Sequence, residues 1–122
     1  MIDTQKVGSR GEEMAAQFYK NNGFYIAAQN FHSPFGEIDL IAESEDEVVF
    51  VEVKVRRSTA GYNPKEAVTS SKIEKIRKTA EHYIYKSHIY GSLQPRFDVA
   101  EIILDNNNDF KNAKLKITQN AF

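Results

Sequence analysis

The sequence predicts an α/β fold in which helices cover a mixed β-sheet, with the elements in the order α-β-β-β-α-β-β. Two segments carry apolar residues at helical spacing, and five others alternate apolar and polar residues or concentrate β-forming ones between turn signals. The chain has 122 residues, which gives room for one core, and its composition shows no linker, repeat or low-complexity tract. Residues 1–122 are therefore predicted to form a single domain.

The first helix is predicted over residues 7–22, where Ala15 and Phe18 belong to an apolar set at helical spacing. It is expected to end at the NNG sequence, because Gly23 readily adopts the left-handed conformation that closes a helix. The segment FYIAAQNF that follows, residues 24–31, is rich in β-forming residues and predicts the first strand.

Two strands joined as a hairpin are predicted next. The HSPFG turn leads into EIDLIAE, residues 37–43, and the acidic ESEDE tip leads on into VVFVEVKVRR, residues 48–57. Strict alternation along the first of these strands puts Ile38, Leu40 and Ala42 on one face. Along the second strand, alternation produces one face made only of valines, which is expected to be core.

The second helix is predicted after residue 62. Asn63, Pro64 and Glu66 have the N-cap, first-position and third-position chemistry of a helix start, and Ser71 with Glu74 offers a second capping box. An apolar stripe follows at helical spacing, and lysines and arginines occupy the rest of the surface.

The last two strands are predicted over RFDVAEIIL, residues 96–104, and KLKIT, residues 114–118. The polar DNNND sequence between them has the composition of a turn. The second of these strands is short and alternating, which is typical of a sheet edge.

Composition restricts the classes of function. The chain has no cysteine, which excludes a disulfide framework, a zinc finger with thiolate ligands and thiol chemistry. The first residues lack the apolar core of a signal peptide, and no apolar run approaches the length of a membrane span, so we expect a cytoplasmic protein without a membrane partner. A net charge of −1 neither favours nor excludes a nucleic-acid partner, because binding depends on local basic surface.

An acid and a base interrupt the most apolar strand of the chain. Glu52 and Lys54 share one face of VVFVEVKVRR, and a loose hairpin register places Asp39 roughly opposite Val51. Shifting the hairpin register by one residue puts Asp39 and Glu52 on the same face. Two adjacent carboxylates repel unless a cation compensates, and Mg²⁺ favours such oxygens, so the pattern is consistent with metal-dependent hydrolysis of a phosphodiester assisted by Lys54.

Plainer explanations of the same residues stay open. Glu52 and Lys54 have the spacing of an ordinary ion pair on the wet face of an amphipathic strand. Glu12 can be an acid that interacts favourably with the N-terminal dipole of the first helix. Asp39 can be a polar residue at a strand edge, although aspartate is disfavoured inside strands.

Five sequence motifs carry a family resemblance. GEIDLI followed by VFVEVKVRR resembles the D-x(n)-E-x-K core of the restriction-endonuclease-like superfamily, which includes archaeal Holliday-junction resolvases. Over most of the chain, to about Leu104, the sequence resembles the YraN-type family (UPF0102) of small bacterial proteins. The matching motifs, in order, are GSRGEEMA, GEIDLIA, VEVKVRRS, PKEAV with the Lys72 that follows it, and RFDVAEI.

The resemblance implies a three-layer, restriction-endonuclease-like core and a role for each matched residue. Asp39 and Glu52 correspond to metal ligands for Mg²⁺ or Mn²⁺. Glu12 corresponds to an extra acid on the first helix that contributes to the metal site in the resolvase-like branch. Lys54 corresponds to the catalytic lysine, and Asp39 and Glu52 are catalytic with it.

The resemblance also implies a partner. A DNA endonuclease acting on branched or structured DNA is the expected function, with Arg56, Arg57 and Lys72 neutralising phosphates beside the site. Resolvases of this superfamily work as dimers, so a homodimer is implied as well. Two alternatives on the same fold are a nucleic-acid-binding module without turnover and a protein-interaction scaffold.

Overall fold

The computed structural model describes residues 4–57, 68–87, 92–104 and 110–122. Within these residues two helices and five strands follow one another in the predicted order, together with one turn of 3-10 helix at Phe110–Asn112. They are α1 (Thr4–Asn21), β1 (Tyr25–Ser33), β2 (Gly36–Glu43), β3 (Glu47–Arg57), α2 (Ser70–Ser87), β4 (Gln94–Leu104) and β5 (Lys114–Thr118). The predicted order α-β-β-β-α-β-β is confirmed.

The strands form one mixed sheet in the order β1-β2-β3-β4-β5. Neighbouring strands are antiparallel except β3 and β4, which run parallel over the whole length of β3. A parallel pair needs a long crossover connection, and α2 lies within the connection from β3 to β4. In this strand order the central strand of the sheet is β3, which carries Glu52 and Lys54.

The two helices cover opposite faces of the sheet. On one face, Ala15, Ala16 and Tyr19 of α1 pack with a set of buried strand residues: Leu40, Ala42, Val49, Val51 and Ala100. On the other face, α2 packs through its own apolar residues, which are Ile76, Ala80 and Tyr83, against Ile38, Ile41, Val48, Phe50 and Val99. The resulting α/β/α layering is compatible with the three-layer restriction-endonuclease-like core.

Close approach of α1 to β3 depends on a glycine. A Cβ atom built on Gly11 would lie 2.4 Å from Cγ2 of Val55, a distance that side-chain carbons do not reach. The glycine lets the helix backbone settle onto the central strand. Its neighbour Glu12 is thereby brought close to the sheet.

The prediction that Ile38 shares a face with Leu40 is wrong. Ile38 belongs to the α2-side core together with Ile41, whereas Leu40 belongs to the α1-side core. The β2–β3 pairing ends at Leu40 opposite Val51, and β2 then continues alongside β1 alone. Alternation is broken here, near Asn30 of β1, whose φ of 50° is a left-handed conformation that strand residues seldom adopt.

The helix boundaries also differ from the predicted ones. The first described helical residue of α1 is Thr4, three residues before the predicted start, and Gly23 closes it with a φ of 89° as expected. The N-cap of α2 is Thr69, whose Oγ1 accepts a hydrogen bond from the backbone N–H of Lys72 at 3.2 Å. The predicted capping box at Ser71 is therefore displaced, and the start signal at 63–66 lies outside the described residues.

A buried polar network lies on the α1 side of the sheet. Asp98 is fully buried and accepts hydrogen bonds from the Tyr19 hydroxyl at 2.7 Å and from Nε of Arg96 at 2.9 Å. Arg96 also reaches Glu47 at 3.0 Å. Burial and then the charge of Asp98 raise the pKa of Tyr19, so this phenol stays protonated and donates to Asp98. The network joins α1 to β3 and β4.

Neither helix among the described residues combines the length and the apolar character that crossing a bilayer requires.

Candidate functional site

The candidate site lies where β2 and β3 separate. Beyond the Leu40–Val51 pair, Oδ2 of Asp39 accepts a hydrogen bond from the backbone N–H of Val53 at 2.8 Å. This side-chain bond stands where a strand-to-strand bond would otherwise form. Val51 pairs with Leu40 rather than with Asp39, which is the one-residue adjustment that brings Asp39 beside Glu52.

Glu52 is the most buried of the candidate acids and has two lysine neighbours. Its side chain is 6% exposed, and its Oε1 atom lies 2.5 Å from Nζ of Lys72 and 3.4 Å from Nζ of Lys54. Lys54 comes from the same strand, and Lys72 comes from the first turn of α2. One carboxylate oxygen is therefore shared between two ammonium groups on the α2 side of the sheet.

Asp39 is the acid whose protonation is most affected by its surroundings. Burial raises its pKa, and the charge of Glu52 raises it further, whereas the hydrogen bond from Val53 lowers it, so that the pKa of Asp39 is about 6. The ionised form is thus destabilised in the folded protein. A cation placed next to this carboxylate would relieve that destabilisation.

The two lysines are affected in opposite directions. Burial lowers the pKa of Lys54, and its contact with Lys72 lowers it further, against the attraction of Glu52. Burial also lowers the pKa of Lys72, but the hydrogen bond and the charge of Glu52 outweigh burial, so the net change is upward. Glu52 therefore favours the charged form of Lys72 more than that of Lys54.

Glu12 approaches Asp39 from the other side of the sheet. It belongs to α1, and its Oε2 accepts a hydrogen bond from Nδ2 of Asn30 at 3.2 Å. Its charge contributes to the raised pKa of Asp39. Glu52, in contrast, lies on the α2 side. Of the three predicted ligands, Asp39 is therefore the one whose pKa both of the others raise. In the described part of the chain, no group of three or more Asp, Glu or His side chains is already gathered as a metal centre.

Two of the three predicted phosphate-binding residues, Arg56 and Lys72, have described side chains, and each contacts an acid. Nε of Arg56 lies 3.3 Å from Oε2 of Glu101, a buried residue of β4. The side chain of Arg57 lies outside the described residues. Lys72 lies at Glu52, where it is part of the acid site itself.

Sequence reasoning missed Glu101. In the parallel β3–β4 register this residue lies opposite Lys54, and it is 2% exposed. Its sequence signal is the one that marked Glu52, an acid inside an apolar strand. Asn30 was also missed, because nothing in the sequence marks this strand residue as the hydrogen-bond partner of Glu12.

A cleft opens beside Lys72, between the beginning of β2 and the first turns of α2. Its volume is about 320 Å³. Its lining consists of Gly36, Glu37, Thr69, Ser71, Lys72, Lys75 and Ile76. Two lysines and two hydroxyl groups line its α2 side, which is suited to an anion, whereas Glu37 places a carboxylate on the β2 side.

These observations define a class of protein: a three-layer α/β protein with a buried Glu52, a half-buried Asp39 and two lysines at the centre of a mixed sheet. The chain belongs to UPF0102, described as an uncharacterised protein family, whose sequence profile matches residues 11–102. The match includes all the candidate acids and lysines.

Two relatives show how far the similarity extends. A UPF0102 protein of Clostridium botulinum (strain Loch Maree / Type A3) is 44% identical over 116 residues, which cover 95% of this chain and 93% of the relative. A UPF0102 protein of Persephonella marina is 42% identical over 106 residues, covering 87% of this chain and 90% of the relative. The similarity therefore extends over nearly the whole length of each protein.

Proposed function

We propose that this protein is a Mg²⁺- or Mn²⁺-dependent endonuclease that hydrolyses phosphodiester bonds in DNA, with branched or structured DNA as its substrate. The observation that carries the proposal is the meeting of Asp39, Glu52 and Lys54 where β2 and β3 separate. An acid pair with an adjacent ammonium group has the chemistry that such a reaction needs.

The donor set is suited to a hard divalent cation. Asp39 and Glu52 offer carboxylate oxygens, and Mg²⁺ is commonly held by one or two carboxylates together with water and substrate phosphate. The raised pKa of Asp39 supports this assignment, because burial and then the charge of Glu52 destabilise the ionised carboxylate, and a bound cation would offset both. Glu12 would support the site from α1. When bound, the cation would polarise the scissile phosphate and acidify a water molecule.

The protein side chains would perform the remaining work. Asp39, whose pKa of about 6 lies below neutral pH, would be mostly ionised at pH 7 and so able to bind the cation, and its affinity for the cation would fall as the pH drops below about 6. Lys54, held 3.4 Å from Glu52, would direct its ammonium group to the reacting phosphate and stabilise the charge that develops there. Arg56, Arg57 and Lys72 would neutralise neighbouring phosphates.

One observation favours a second candidate, a nucleic-acid-binding module without turnover. Glu52 already has two ammonium neighbours, which is the arrangement expected of a purely structural ion pair. The salt dependence of DNA binding would distinguish both candidates from a protein-interaction scaffold that has no nucleic-acid role. Binding through phosphates weakens steeply as salt is raised, and absence of such DNA binding would leave the scaffold.

The test is cleavage of a panel of duplex, single-stranded, flapped and four-way-junction DNAs with Mg²⁺, Mn²⁺ or EDTA. Glu52→Gln keeps the shape of the side chain and removes its charge. Glu74→Gln is a matched control, because Glu74 is exposed on α2 and pairs with Lys78 at 3.2 Å. The proposal predicts metal-dependent cleavage by the wild type and the control, and none by Glu52→Gln. Absence of cleavage of every substrate, with equal DNA binding, would instead establish the binding module.

The homodimer implied by the resolvase resemblance is part of the same proposal. Two sites are needed when two strands of a branched DNA are cut. Sedimentation of the free protein and of its complex with a four-way junction would give the stoichiometry.

A further inference from the structure

The ammonium group of Lys72 contacts the carboxylate oxygen of Glu52 that would bind a metal ion. Its Nζ lies 2.5 Å from Oε1 of Glu52, and that carboxylate is 6% exposed, so little of its surface remains accessible. The backbone of Lys72 is held by the Thr69 cap, which fixes the base of the side chain in the first turn of α2. The ammonium group thus occupies the acid site from a defined position.

The same oxygen cannot keep both ammonium groups and accept a divalent cation. Positive charges that share one oxygen repel strongly when they are shielded from water. Lys54 and Lys72 differ in their freedom to leave: their side chains are 27% and 41% exposed, respectively. Lys72 also lines the open cleft of about 320 Å³, which gives it a place to move into.

We propose that Lys72 is an internal counter-ion that closes the acid pair and must leave Glu52 before a divalent cation binds there. This inference rests on the proposed function and adds a step that precedes catalysis. Once displaced, Lys72 lies in the cleft with Ser71 and Lys75, where its charge favours a phosphate group of the substrate. A phosphate in the cleft would in turn hold Lys72 away from Glu52, so that DNA and metal binding assist each other.

Metal affinity of three proteins tests the proposal: the wild type, Lys72→Met and Lys75→Met. Lys75 lines the same cleft one turn further along α2, so its replacement removes a nearby positive charge without touching the contact with Glu52. The Kd for Mn²⁺ alone is measured by calorimetry at fixed pH and salt, without DNA. For Lys72→Met we expect the Kd to fall roughly five- to tenfold, about 1 to 1.4 kcal/mol, and for Lys75→Met to change less than about twofold.

Thermal unfolding without metal separates this role from a structural one. Lys72→Met is expected to lower the melting temperature while it tightens Mn²⁺ binding, and Lys72→Arg should restore both properties towards the wild type. An unchanged or weaker affinity of Lys72→Met would overturn the inference alone, as would an equal gain in both methionine variants. If none of the proteins bound Mn²⁺, the proposed function would fail and the inference with it.

Discussion

The side-chain carboxylate of Asp39 accepts a hydrogen bond from the backbone N–H of Val53 at 2.8 Å, in place of a hydrogen bond between the two strands. The acid therefore holds the two separating strands together, and its charge state affects both the sheet and the site. An acid that serves the backbone in this way has a fixed position, which is what a metal ligand needs.

The pH dependence of stability should reveal Asp39. Its pKa rises from 3.8 in the unfolded chain to about 6 in the folded protein, so the folded state binds more protons between these values. The contribution of Asp39 to stability therefore falls as the pH rises from about 4 to about 6. We expect Asp39→Asn to remove this trend and to stabilise the protein at pH 8 by about 1–2 kcal/mol.

Urea unfolding in EDTA at several pH values would measure that effect. Asp46→Asn is the control, because Asp46 is exposed in the turn between β2 and β3. The account of Asp39 fails if Asp39→Asn and Asp46→Asn show the same pH dependence as the wild type.

Lys54 should matter for turnover far more than for folding. Lys54→Met removes an ammonium group 3.4 Å from Glu52, while Lys72 remains to compensate that carboxylate. We expect cleavage to slow by about 10²–10³-fold and the free energy of unfolding to change by less than about 1 kcal/mol. Single-turnover rates at saturating metal would measure the first quantity. Lys78→Met, on the exposed surface of α2, should leave the rate unchanged.

The close contact between α1 and β3 predicts opposite effects at two glycines of one helix. Gly11→Ala places a methyl group against Val55 and should destabilise the protein by about 1–3 kcal/mol, less about 1 kcal/mol for improved helix propensity. Gly8→Ala meets no atom within 4 Å and should be stabilising by up to about 1 kcal/mol. Equal effects of the two substitutions, measured by urea unfolding, would contradict the close packing.

Loss of Asp98 should be among the most damaging single changes. Asp98→Ala leaves the Tyr19 hydroxyl and the guanidinium of Arg96 without their shared acceptor. We expect a loss of about 3–5 kcal/mol, since one partner of a buried pair is removed. Glu74→Ala, which breaks the exposed pair with Lys78, should cost no more than about 0.5 kcal/mol. Guanidinium unfolding of both variants would compare the two costs.

Local sequence patterns predicted the elements but not the way β2 leaves β3. Alternation identified the strands because it depends on neighbours within one segment. The change of face at Ile38 depends on the left-handed conformation of Asn30 and on the end of pairing at Leu40. Both are set by contacts between segments, which alternation along one strand does not contain.

The candidate site was foreseen in part for the same reason. Glu52 and Lys54 stand two positions apart on one strand, so their neighbourhood follows from strand geometry. The contact between Lys72 and Glu52 spans twenty residues and depends on where the first turn of α2 packs. Glu12 could be assigned to a helix, but its electrostatic effect on Asp39 depends on how α1 packs on the sheet.

The two halves of the acid–lysine site should differ in lifetime. Glu52 stands on β3, which is hydrogen-bonded on one side to β2 and on the other to β4, so its backbone should exchange amide protons only when the sheet opens. The backbone of Lys72 is held by the Thr69 cap, but its side chain is 41% exposed and should change rotamer far faster than the sheet opens. Glu52 would keep its position for as long as the sheet stays folded, while the contact between Lys72 and Glu52 would break and re-form many times in that period.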